Sequence, residues 1–180
     1  QKDKALEYYS RLIDRDRQER YSIPDYPYYL LSIKKLSDSK TETATKFVRK
    51  FPDSKYLNLV YLALADYYIR GEDYKKARST YDDYLKKFPS DPAALNNFAY
   101  LSALLNIELP RAMTYIEKAI ILSKDTYSKA LYLDTKAEIL SKQKKIKEAI
   151  EAVELALEII GNDYKDVRKN LIDQLSKFKI

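Results

Sequence analysis

Apolar positions recur along this chain with the period of an α-helix rather than that of a strand. Ile146, Ala149, Ile150, Val153, Ala156, Leu157 and Ile160 fall on one stripe of a 3.6-residue repeat, with charged residues between them. Val167, Leu171, Leu175 and Phe178 do the same, and their other side is polar. Read this way, the chain predicts helices over 3–15, 28–36, 39–51, 55–70, 74–88, 92–105, 109–122, 126–142, 146–160 and 163–178. The punctuation agrees. Pro24 and Pro27 disfavour helical neighbours on their N-terminal sides. Ser39 and Glu42 have the spacing of a capping box. Asp73, Asp91 and Asp125 stand where N-caps belong, and Pro92 takes a first helical position. Gly71 is read as a left-handed terminator, and Gly161 as a stop.

Small residues recur on top of that helical pattern. Ala65 and Ala77 with Tyr84, then Ala99, Ala112 and Ala119, then Ala137, Ala149 and Ala156 form three sets of near-constant spacing. Alanines at such points let the two helices of a hairpin, and the first helix of the next, approach closely. The period is that of a helix–turn–helix unit of roughly 34 residues. Within 58–91, Tyr61, Leu64, Ala65, Tyr68, Ala77, Tyr81, Tyr84 and Pro89 fall where tetratricopeptide repeats carry Trp, Leu, Gly, Tyr, Ala, Phe, Ala and Pro. Ala65 for Gly and Tyr84 for Ala are departures, as is Lys136 in the third set, where a Leu is usual. Over roughly 55–160 the chain resembles the tetratricopeptide family.

That resemblance implies an all-α, right-handed superhelical solenoid of antiparallel helix pairs, closed by a C-terminal capping helix. On this reading 1–180 is a single helical-repeat domain. It has an orphan helix at 3–15, a degenerate repeat at 27–54 with Lys40 at the signature Ala position, repeats at 55–91, 92–125 and 126–161, and a capping helix at 163–178. A solenoid needs such an end helix to cover its last apolar face. The chain begins at Gln1, and Ala5, Tyr9, Leu12 and Ile13 look like the second helix of a repeat. The expectation is a piece cut from a longer protein.

Composition narrows the chemistry. The 180 residues are 46% hydrophobic, enough to bury a continuous core. With no Cys there is neither a thiolate nucleophile nor a Cys-based metal site. The absence of His removes the commonest general base and metal ligand. No Gly-rich phosphate loop is present and no apolar run reaches bilayer length. An enzyme is disfavoured, and no cofactor or metal is expected.

In the family the first helices of the repeats line the concave face. Carried onto this sequence, the candidate partner-binding positions are Leu59, Leu62, Asp66, Ile69 and Arg70, then Asn96, Asn97, Tyr100 and Leu104, then Asp134, Glu138 and Lys142 with Leu131 and Thr135 beside them. An extended segment or amphipathic helix of another protein fits such a mixed face. The alternative is that these residues pack against the terminal helix or neighbouring turns. Chaperone-binding members grip a C-terminal carboxylate with basic residues. Here those offsets hold Leu62, Asp66, Asn97, Leu131 and Thr135, so no carboxylate clamp is expected.

Eighteen tyrosines are unusual. Tyr56, Tyr61, Tyr68, Tyr81 and Tyr84 are read as core or core-edge residues, with hydroxyls kept polar. Tyr26, Tyr28 and Tyr29 cluster beside two prolines and read either as a partner anchor or as a replacement core. The net charge is +6, with Lys142, Lys144, Lys145 and Lys147 near one turn. RNA or an anionic surface could be drawn there, but Asp66, Asp134 and Glu138 in the groove argue against nucleic acid.

The leading expectation is a non-catalytic module that binds another protein in the groove. Its alternatives are self-assembly into a homo-oligomer and an RNA or anionic-surface binder using the 142–147 end. The segments Phe51-Pro-Asp-Ser-Lys-Tyr56 and Phe88-Pro-Ser-Asp-Pro92 resemble the inter-repeat turns of bacterial envelope tetratricopeptide proteins. That puts a bacterial periplasm or cell-envelope complex ahead of the cytoplasm.

Overall fold

The computed structural model describes residues 38–54, 56–162 and 164–179. The helices predicted over 3–15 and 28–36, and Tyr26, Tyr28 and Tyr29, lie outside them. The described residues form α1 (Asp38–Lys50), α2 (Leu57–Arg70), α3 (Tyr74–Lys87), α4 (Pro92–Leu105), α5 (Leu109–Leu122), α6 (Thr126–Lys142), α7 (Ile146–Ile160) and α8 (Lys165–Phe178), and no strand. They fall into two compact units divided between Thr80 and Tyr81.

In the first unit α1 packs on α2. Ala44 and Phe47 of α1 are buried, as are Leu57, Val60, Tyr61, Leu64 and Ala65 of α2. Ser39 lies inside α1 rather than ahead of it, so it is not the cap the sequence pattern suggested. Glu42 pairs with Lys46 at 3.3 Å.

In the second unit α4 packs on α5 and alongside α6, α5 on α6, α6 on α7, and α8 on both α6 and α7. Turns of three residues join α4 to α5, α5 to α6 and α6 to α7, so neighbours run antiparallel. Ala99, Ala112, Ala119, Ala137, Ala149 and Ala156 have no exposed surface. Such a short side chain is sealed only where the next helix sits directly on it. With Ala137, Ala149 and Ala156, the side chains of Leu133, Leu140, Val153, Ile160 and Leu171 form one cluster, which Val167, Leu175 and Phe178 of α8 extend. Each such large side chain contributes about 1.5–3 kcal/mol when fully buried. Ile146, expected on the buried stripe of α7, is 38% exposed. As the first residue of the helix it projects past the cluster, and Ala152 is buried instead.

Departures from the repeat pattern have local partners. Tyr84, in an alanine position, is buried and donates its hydroxyl to Asp91 Oδ2 at 2.6 Å. Asp91 also caps α4, accepting from the Ala94 N–H at 3.1 Å. Lys136, in a leucine position, reaches Glu117 of α5 at 3.3 Å. Arg111 of α5, which the sequence pattern did not mark, ties α3, α4 and α5 together. It pairs with Asp82, donates to Tyr115 Oη at 2.9 Å, and stacks its guanidinium 4.9 Å from the Phe98 ring centroid.

Helices α2, α4 and α6 end in the same turn. The N–H groups of Glu72 and Asp73 bond to Ile69 and Tyr68, those of Asn106 and Ile107 to Ala103 and Ser102, and those of Lys144 and Lys145 to Ser141 and Leu140. These paired bonds define the Schellman termination. Its left-handed position is filled by Glu72 (φ 57°), Asn106 (φ 54°) and Lys144 (φ 63°). Gly71 is therefore not the left-handed terminator expected from sequence: its φ is −87°. Chain reversal comes one residue later, at Glu72. Gly161, at φ 64°, does take a positive φ after α7.

A side chain in the left-handed region costs about 1–2 kcal/mol, partly offset when Gly is substituted by the entropy Gly loses on folding. Glu72→Gly and Lys144→Gly should each raise stability by about 0.5–1 kcal/mol in urea denaturation. Gly71→Ala should not weaken the protein, since a Cβ there meets only Tyr67 O at 3.6 Å and Tyr68 O at 3.8 Å.

Candidate partner-binding surface

On α2, Leu59, Leu62, Asp66 and Ile69 recur at helical spacing on the side away from Val60, Tyr61, Leu64 and Ala65. Leu62, Asp66, Ile69 and Arg70 are exposed, and Leu59 is half-buried. Arg70 Nε donates to Asp66 Oδ2 at 2.9 Å, so this face presents a neutralised pair between apolar side chains. Beside it, a cavity of about 560 Å³ is lined by Thr41, Tyr67, Tyr68, Arg70, Gly71, Asp73 and Lys76. Its Lys76 ammonium lies 5.6 Å over the Tyr68 ring and pairs with Asp73 at 2.8 Å. No sequence signal marked this cavity.

In the second unit the candidate face is built on α4 and α6. The α4 sequence is apolar nearly all round, and Leu95, Phe98, Ala99 and Leu101 are buried. Tyr100 and Leu104 are not: they leave 50% and 46% of their surfaces exposed, four residues apart on one face. The two asparagines are turned to internal use. Asn97 Nδ2 donates to Tyr81 Oη at 2.9 Å, and Asn96 Nδ2 donates to Asn97 Oδ1 at 3.5 Å.

On α6, Thr135 is buried and donates to the Leu131 carbonyl at 3.3 Å. Lys142 pairs with Glu138 at 3.3 Å. Asp134 is half-buried, and Gln174 of α8 reaches its backbone carbonyl at 3.5 Å. Burial and the nearby Glu138 carboxylate push the Asp134 carboxyl up to about 6, against a hydrogen bond from Gln174. Lys142, Lys144, Lys145 and Lys147 all lie at the α6–α7 turn and are all exposed, and Lys145 pairs with Glu148 at 3.8 Å.

The repeated turn, the sealed alanines and the antiparallel pairs together describe a helical-repeat scaffold. The tetratricopeptide repeat family model matches residues 58–101. Residues 58–101 are thus similar to a tetratricopeptide repeat. A solved structure described as a thermophilic TPR protein in Thermus thermophilus is similar to it, with a TM-score of 0.58 and 20% sequence identity, covering 97% of this chain and 91% of that one. That likeness is one of fold. No curated protein matches the sequence.

Within this helical-repeat fold the candidate residues divide by role. Tyr100 and Leu104 offer apolar surface, the Asp66–Arg70 and Glu138–Lys142 pairs offer surface charge, and Asn97 and Thr135 are engaged internally. Among the described residues no group of three or more potential ligands could hold a metal ion. None of the described helices is long and apolar enough to cross a membrane.

Because Tyr100 and Leu104 contribute little to the core, Tyr100→Ser and Leu104→Ser should change unfolding free energy by less than about 0.5 kcal/mol. Asn97→Ala should cost about 1 kcal/mol, since it removes the bond to Tyr81. Thermal melts of the three variants check this ordering.

Proposed function

We propose that the chain is a non-catalytic interaction module that holds a segment of another protein against the first-helix faces of its repeats. The observation that carries this reading is the exposure of Tyr100 and Leu104 on α4, a helix whose other large apolar side chains are mostly buried. A Tyr beside a Leu on a rigid helix has the chemistry of a binding anchor, because it offers contact area at small cost in side-chain freedom. The Glu138–Lys142 pair lies on α6, the helix packed alongside α4, and adds exposed charge to that helix. The family's common use as a protein-binding scaffold supports the same reading. Leu62, Asp66, Ile69 and Arg70 on α2 are the corresponding positions of the first unit.

A narrower assignment, to a subunit of a bacterial cell-envelope complex, draws on the turns at 51–56 and 88–92. Fractionation of the source cells tests it separately: recovery with the envelope supports it, and strictly cytosolic recovery removes it.

The binding surface is tested by capture with the wild-type chain and with a Tyr100→Glu/Leu104→Glu variant. Both substitutions are at exposed positions, so the variant should fold. We expect it to lose at least tenfold in affinity for any partner the wild type retains, measured by titration calorimetry. Equal affinity would mean that the partner binds elsewhere.

A further inference from the structure

Four lysines and no acidic residue lie between Glu138 and Glu148, where α6 turns into α7. Lys142, Lys144, Lys145 and Lys147 are all exposed. Glu138 pairs with Lys142 at 3.3 Å, and Glu148 with Lys145 at 3.8 Å. Ion pairs this open to water are weak and give way to another anion at little cost. Lys144 and Lys147 make no ion pair with any described residue. The turn itself does not call for a cation, since its left-handed position holds Glu72 after α2 and Asn106 after α4. At Lys144 the chain keeps a charged side chain where glycine would sit without strain.

Apolar surface sits among these charges. Ile146, the first residue of α7, is exposed between Lys145 and Lys147 in the sequence. Helices α4 and α6 run parallel, because each is antiparallel to α5. The α4–α5 turn therefore lies at the same end of the unit, and its Ile107 is exposed too. A partner that satisfies both kinds of side chain carries anions above an apolar layer. A phospholipid surface has that profile. Its headgroups attract lysine ammonium groups, and an apolar side chain gains by entering the acyl boundary beneath them. The long lysine stem lets the charge stay at headgroup level while its carbons lie along apolar material. Nucleic acid supplies the anions without the apolar layer. RNA readers add aromatic rings or arginines for the bases, and residues 141–148 contain neither.

We propose that the α6–α7 turn docks this protein on an anionic phospholipid surface, with Lys142, Lys144, Lys145 and Lys147 on the headgroups and Ile146 in the apolar layer below.

The test is sedimentation of the full chain with vesicles of mixed phosphatidylserine and phosphatidylcholine, against vesicles of phosphatidylcholine alone. The chain should partition onto the mixed vesicles and not onto the neutral ones, and added salt should weaken it. Each lysine at an anionic surface contributes about fivefold to the partition coefficient. Lys144→Gly should therefore bind about fivefold more weakly although its fold is more stable, which separates lipid contact from damage to the turn. Lys144→Glu/Lys145→Glu/Lys147→Glu should lose at least a hundredfold. Lys124→Glu/Lys129→Glu/Lys165→Glu makes the same change in net charge at exposed sites on the opposite end. The 17 residues of α6 separate the two ends by about 25 Å. That distance exceeds the screening length, so the control should stay within about threefold of the wild type. The chain has no Trp, so Ile146→Trp gives a single reporter, whose emission should shift to the blue on the mixed vesicles. Four results would each overturn the proposal: equal binding to neutral vesicles or none to either, equal losses in the two triple variants, an unshifted reporter, or tighter binding to polyuridylate than to the mixed vesicles.

Discussion

Helix stacking in this protein depends on side chains that are nearly absent. Alanine puts one carbon beyond the backbone, so a helix presenting alanine lets its neighbour come closer than leucine would permit. Ala99, Ala112, Ala119, Ala137, Ala149 and Ala156 are all sealed from solvent. Large side chains of the same helices are buried with them: Phe98 and Ile116 on α4 and α5, Leu133, Leu140 and Val153 on α6 and α7. Close approach at the small residues is what brings the large ones into contact. Since each helix pair buries its faces only against neighbours, the stability of such a stack is shared along its length. The last pair would leave an apolar face bare, and α8 covers it with Val167, Leu171, Leu175 and Phe178.

Much of this is legible from sequence, for a physical reason. Helical period, caps and small-residue spacing are local properties, so the chain states them directly. The bounds of α3 to α8, to within a residue or two, and the caps at Asp73, Asp91 and Asp125 follow from residue type alone. The turns are harder. Glycine advertises a left-handed position, yet α2 places its reversal at Glu72 and leaves Gly71 in an ordinary conformation. The hydrogen-bond pattern of the hairpin sets that register. Because the next helix must start at the same place in each repeat, Glu72, Asn106 and Lys144 accept the strain.

The surface is less legible than the fold, because spacing gives the face of a helix but not its neighbours. Asn97 stands at a groove offset but bonds Tyr81. Asp134 stands at another, but α8, forty residues on in sequence, reaches over it with Gln174. Arg111 carries no pattern at all: its importance comes from Asp82, Phe98 and Tyr115 converging on it from three helices. Such residues can be found only once the packing is known. Tyr100 and Leu104 run the other way, as apolar residues that the packing leaves outside.

The dependence on small residues is tested most directly by enlarging them one at a time. Ala99→Leu, Ala119→Leu and Ala137→Leu would each add three carbons at a point with no exposed surface. Urea denaturation should show a loss of about 1–3 kcal/mol for each. Ile121→Leu, at a site 81% exposed, should stay within about 0.5 kcal/mol of the wild type. If the three leucines are accommodated as easily as that surface change, the close approach of the helices does not depend on alanine, and the account of the stack fails.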